Sequence, residues 1–220
     1  RFPHGVWANF YKWQTDGYQQ DNYDNGDHQS VLNTYVRSIK GHIAGIEALN
    51  TERKKSHAGK GFSMMWTYSI NFDDAASSVA RAKNDINRGL EVKDIELGNE
   101  HFWKNQRSNR TKEASDYLRQ AQSVADALHE ELPDVRVSIP LGWRRNQAGY
   151  NRTIAGDKQY FDAITIHKYL GADPDKPGES DAAYSSLLSA RLTLEDDVNW
   201  VRNNFAPGKP VWLTEWGVSA

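Results

Sequence analysis

The chain has 220 residues, enough for one large domain with a substantial core. Its formal net charge is −2 and its pI is near 6.4, which excludes a broad basic surface for gripping a phosphate backbone and speaks against a nucleic-acid partner. It contains no cysteine, so disulfides, thiolate metal sites and cysteine nucleophiles are ruled out, while the compartment, a secreted one included, is left unread.

Short β-rich runs alternate with longer stretches of helical period, the pattern of βα units around a parallel sheet. The first expected strand covers residues 2–9 and leads into a long polar stretch at 15–30. Within that stretch "DNYDNGD" looks like a cation loop, but Tyr23 holds its third position and Leu32 its twelfth, where oxygen ligands are required. It reads as a solvated turn. Val31, Tyr35, Val36, Ile39, Ile43 and Ile46 recur at spacings of three or four and predict a helix. A strand at 62–71 follows, then a helix capped by Asp73 or Asp74, with Ala76, Val79, Ala80 and Ile86 expected inward and Gly89 at its end. After a strand at 92–98 the clearest helix starts near Thr111 and carries Ala114, Tyr117, Leu118, Ala121, Val124, Ala125, Leu128 and Leu132 until Pro133 stops it.

Strands at 135–140 and 163–169 come next, then a second long polar stretch at 171–184. A helix over about 183–205, with Leu187, Leu188, Val198 and Val201 inward, precedes the last strand, 211–214. No repeat or linker divides the chain, so residues 1–220 read as a single domain. No apolar run approaches the ~20 residues of a membrane-spanning helix, no membrane partner is expected, and "RFPHGVWANF" lacks the pattern of a signal peptide. Asn109 and Asn151 each open a glycosylation tripeptide, a pattern that chance supplies often.

Two acids stand out. Glu100 leaves the third strand in "IELGNE" and Glu215 leaves the last in "VWLTEWG". A closed barrel of parallel strands gathers its strand C-termini round one mouth, so acids far apart in the chain can face each other. Two opposed carboxylates, one protonated and one ionised, are the equipment for breaking a glycosidic bond. Each acid alone reads most simply as an exposed strand end; the pair, flanked by an amide or Trp, favours catalysis. The 8 Trp and 10 Tyr are too many for a core of this length alone, and those at strand ends suit a cleft for hydroxylated ligands. Trp66, Asn71, Trp103, Trp143 and Trp216 are candidates for sugar contacts, Trp103 and Trp216 foremost because each closely follows one of the acids. Only His101 and His167 lie near strand ends, without the spacing of a metal site, so neither a metal nor a cofactor is assigned.

"RFPHGVWANFYKW", "VKDIELGNEHFW", "DAITIHKY" and "PVWLTEWG" resemble successive strand ends of the clan A glycoside hydrolases, retaining enzymes on a TIM (β/α)8 barrel. Within the clan the chain is most similar to the α-L-arabinofuranosidase family and its heparanase-like and β-xylosidase neighbours. The resemblance implies an oligo- or polysaccharide substrate, Glu100 as acid/base and Glu215 as nucleophile. It also implies Asn99 as a partner of the sugar 2-hydroxyl, Arg1 beside Glu215, and His167 or Tyr169 bonded to a catalytic carboxylate, Tyr169 favoured for Glu215. His4-Gly5 stands where relatives have two glycines. Six of the eight barrel units, corresponding to strands two to seven, have counterparts, so the barrel is expected to be incomplete and the chain part of a longer protein. The rival expectation is a catalytically silent carbohydrate-binding barrel. Sugar identity, linkage, cleavage mode and oligomeric state are not read from these motifs.

Overall fold

The computed structural model describes residues 1–18, 42–156, 159–171 and 189–219. β1 (Tyr11–Lys12) and β2 (Gly17–Tyr18) make a small antiparallel hairpin. The main sheet consists of β3 (Met65–Tyr68), β4 (Asp94–Leu97), β5 (Arg136–Pro140), β6 (Ala163–Gly171) and β7 (Val211–Ser219), paired in chain order and all parallel. The helices are α1 (His42–Ser56), α2 (Ala75–Asn87), α3 (Ala114–Glu131), α4 (Ala148–Ala155) and α5 (Ala190–Phe205). Spatial order equal to chain order, with helices in the crossovers, makes a curled part of a TIM-like barrel. No helix among the described residues is long and apolar enough to cross a membrane.

Among the described residues, five of the six expected strands are found, as β3 to β7. Residues 2–9 contribute one bridge, in which Phe2 N–H bonds Met65 O at 2.9 Å and Thr67 N–H bonds Phe2 O at 2.9 Å. The pairing stops there because the chain turns at once, through Gly5 at φ +55°, into a 3-10 helix, Gly5–Phe10. The polar stretch around "DNYDNGD", the helix positions 31–41 and Leu187 and Leu188, expected to face inward, lie outside the described residues.

α2 is capped by Asp74, whose side chain accepts from Ser77 N–H at 2.8 Å, and Gly89 follows its last turn at φ +78°. Its inward face is not the apolar one expected. Ser78, Arg81, Ala82 and Asp85 are buried, while Ala76, Ala80 and Ile86 are exposed. The reason is Arg81, whose guanidinium lies 4.1 Å from the ring centre of Tyr68 and 5.1 Å from that of Tyr11, and donates to Thr67 O at 3.0 Å. A cation stacked on rings from other elements is invisible to apolar periodicity. α3 buries Tyr117, Ala121, Val124, Ala125 and Leu128 as its spacing predicts, and the Tyr117 hydroxyl donates to Leu97 O at 2.8 Å, fastening the helix to the end of β4. α4 has no counterpart in the sequence reading; its Asn151 is buried and exchanges bonds with Gly142, so the asparagine of that tripeptide is folded away.

β4 is followed by Gly98, at φ +75°, where an added Cβ would meet the His101 ring, 2.6 Å from Nδ1. Gly98→Ala is therefore expected to cost about 2–3 kcal/mol, against about 1 kcal/mol for Gly59→Ala, whose φ is +82° with nothing within 4 Å of the new methyl. Denaturant unfolding measures both; equal losses would show that His101 gives way.

Candidate active site

The strand exits carry the site. After Gly98, Asn99 is clamped by Asn9: its N–H bonds Asn9 Oδ1 at 2.8 Å, and Asn9 Nδ2 returns a bond to Asn99 O at 2.8 Å and one to Gln106 Oε1 at 2.9 Å. Glu100 itself sits at φ +46°, a left-handed conformation that costs an L-residue about 1 kcal/mol, and the Trp103 N–H closes the turn on Glu100 O at 2.8 Å. Strain at an acid positions its side chain where regular backbone would not.

On the far side β6 and β7 run in register as far as Ile166 opposite Leu213, but His167 then lies opposite Glu215. Thr214 is the extra residue of a β-bulge. Side chains alternate along a regular strand, so Thr214 and Glu215 would face opposite sides; the bulge lets both reach inward. The Thr214 hydroxyl lies 3.0 Å from His167 Nε2 and donates to Glu96 Oε2 at 3.4 Å. Glu215 is bonded by Arg1 Nη1, by Gly5 N–H at 3.0 Å and by the Tyr169 hydroxyl at 3.2 Å.

Arg1 joins the two halves. Its Nε donates to Glu96 Oε2 at 2.8 Å, its Nη2 to Asn99 Oδ1 at 2.8 Å, and its Nη1 to Glu215. His167 is the second link, with Nδ1 3.2 Å from Glu100 Oε1 and 3.6 Å from Glu215 Oε2, and Nε2 3.4 Å from Glu96 Oε1. These are charge contacts more than aligned hydrogen bonds, since His167 Nδ1 and Glu96 Oε1 meet no partner at good angles. One oxygen of each of Glu100 and Glu215 and one His167 nitrogen fall within 4.8 Å of one another. Burial opposes a charge on His167, but the contacts to Glu100 and Glu96, with the charges of Glu96 and Glu215, outweigh it and push its pKa up to about 9. Burial likewise opposes ionisation of Glu96, yet Arg1 and His167 hold its carboxyl below the usual range.

Glu100, His167 and Glu215 are also the three residues able to offer ligand atoms to one metal ion among those described. An imidazolium has no free lone pair, so the charge that these contacts favour on His167 works against that use.

The remaining candidates separate. Tyr169 is 45% exposed beside Glu215, and Trp216, at 73%, stands free at the rim. Trp103 lines an open cavity of about 610 Å³ with Glu100, Phe102, Lys104, Asn105 and Gln106. Trp143 packs under Lys168, whose Nζ is 3.4 Å from its ring centre. Two expectations are corrected. Trp66 is fully buried and its indole N–H is spent on Glu91 O at 2.8 Å, because it forms the floor under Arg81. Asn71 is 1% exposed and ties Gln106 O, Thr111 and His101 together, so its amide is structural. Sequence reasoning missed Glu96, Asn9, Thr214 and the Gly5 N–H. For Glu96 a signal existed: an acid at the centre of an apolar strand is buried only when paired.

No protein-family model matches this sequence, and no curated protein matches it. Among solved structures, the family 51 α-L-arabinofuranosidase AbfB from Bifidobacterium longum is similar over 99% of this chain and 47% of its own, with TM-score 0.64 and 16% identity. The α-L-arabinofuranosidase from Thermotoga maritima, in its arabinose complex, covers 99% and 45% with TM-score 0.58 and 14% identity. The family 51 arabinofuranosidase from Xanthomonas axonopodis pv. citri gives 99%, 47%, 0.58 and 13%. The chain thus spans under half the length of these proteins. What it shares with them is the fold.

The raised His167 pKa fixes a pH signature. Its stabilising charge is complete below the unfolded value of 6.5 and is lost as pH rises through about 9. Wild type is expected to lead His167→Asn by on the order of 3 kcal/mol at pH 6, with the lead fading by pH 10; thermal unfolding across that range checks it.

Proposed function

We propose that this chain supplies the catalytic centre of a retaining glycoside hydrolase of arabinofuranosidase type, with the described strands at barrel units three to seven and Phe2 at unit two. The observation that carries the reading is the approach of the Glu100 and Glu215 carboxylates to within 4.8 Å across His167. Separations of about 5–5.5 Å suit direct attack by one carboxylate, whereas inversion needs a gap wide enough for water.

In this reading Glu215 attacks the anomeric carbon while Glu100 gives its proton to the departing glycosidic oxygen. Water then displaces Glu215, and Glu100 takes the proton that the water loses. The Arg1 guanidinium, Gly5 N–H and Tyr169 hydroxyl hold the attacking carboxylate in place before the sugar arrives. Asn99 is fully buried, with its side-chain oxygen on Arg1 and its nitrogen 3.4 Å from Gln106, so the contact with the 2-hydroxyl that belongs to this reading requires one of those bonds to be given up. Trp103, Trp216 and Tyr169 offer faces to the rest of an oligo- or polysaccharide.

The two acids are distinguished by azide. Glu215→Ala should lose nearly all turnover, and azide should restore part of it while forming a glycosyl azide of inverted configuration. Glu100→Ala should lose about 10²–10⁴-fold on substrates with poor leaving groups, and azide should give the retained product. NMR of the first-formed sugar from the wild-type protein should show retention; an inverted anomer would overturn the double displacement.

A further inference from the structure

Trp103, which lines the cavity with Glu100, stands at one end of a column of stacked side chains. Arg144, just beyond the end of β5, places its guanidinium 5.0 Å from the ring centre of Trp103 and 5.2 Å from that of Trp143. Trp143 in turn carries the Lys168 ammonium on its ring. The charges along this column are not balanced alike. Lys168 is paired with Asp197 at 2.8 Å, and the same Asp197 also reaches Arg145, 3.9 Å away. Among the described residues, no carboxylate pairs with Arg144 or with Lys104, the exposed cation that lines the Glu100 cavity with Trp103. A guanidinium stacked between two indoles keeps its N–H edge for another partner, and its plane is fixed before that partner binds.

We infer that this shelf binds an anionic group, carboxylate or sulfate, on the sugar lying beyond the bond to be cleaved. The site would then select acidic saccharides over neutral ones. Trp103 provides the stacking face and Arg144 the charge-assisted fork, with Lys104 adding a second, more mobile cation. The inference rests on the proposed hydrolase site, because Glu100 marks which side of the cavity faces the leaving group.

The test is calorimetric binding with the full chain, which needs no turnover. Neutral xylo-oligosaccharides, oligogalacturonides and sulfated galactan oligosaccharides of equal length are titrated at 50 and 300 mM salt. An acidic series is expected to bind at least tenfold more tightly than the neutral one at low salt, with the advantage shrinking at high salt. Comparing the two acidic series identifies carboxylate or sulfate. Arg144→Gln, which keeps a planar polar group without charge, should erase most of the preference, and Arg144→Lys should retain part of it. Equal affinity for all three series, or a parallel loss of acidic and neutral binding in Arg144→Gln, would overturn the inference. Acidic preference without aglycone release would instead sink the hydrolase reading and leave the shelf standing; release from neutral glycosides without any preference would do the reverse.

Discussion

One guanidinium organises the site. Arg1 touches a buried strand acid, the amide beside Glu100 and the Glu215 carboxylate with three different nitrogens. The fork geometry of arginine is what permits this, since an ammonium could not fix three acceptors in one plane. Because those acceptors come from β4, the turn just after it and β7, with two strands lying between β4 and β7 in the sheet, the curl of the sheet and the ion pairs support each other. Removing the cation would leave Glu96 buried, with His167 alone to offset its charge.

The centre is costly to build by design of its chemistry. Three carboxylates and two basic groups gather in a space where water is scarce, and buried charge rarely repays its desolvation in stability. Their value is positional. His167 and Arg1 make every acid's position depend on its neighbours, and the left-handed backbone at Glu100 adds strain that the Asn9 clamp must oppose. The apolar faces of β4 to β6, packed against α3, carry the stability that such a cluster consumes.

How much of this the sequence disclosed depended on which force was at work. Regular alternation of buried strands and amphipathic helices is a local signal, and it located β3 to β7 and the inward face of α3. It failed for α2, where Arg81 turns a polar position inward by stacking on rings from β1 and β3, and for residues 2–9, where a run of strand-forming residues yields after one rung because the chain turns into a 3-10 helix at Gly5. Glu100 and Glu215 were legible because strand exits in a parallel sheet converge by topology. Glu96, Asn9 and Thr214 were not, since their roles come from pairings between strands whose register nothing local specifies. Trp66 and Asn71 shared residue type and strand-end position with true rim residues, and only burial separates them.

The extra residue in β7 has one more implication. Upstream of Thr214 one parity of the strand faces the barrel interior; downstream the opposite parity does, which is how Glu215 reaches the same side as Thr214. Any sequence aligned to this strand without a matching insertion would have its acid assigned to the wrong face. A graft of the strand onto another barrel must likewise carry Thr214 along, or the transplanted glutamate arrives pointing at the helices.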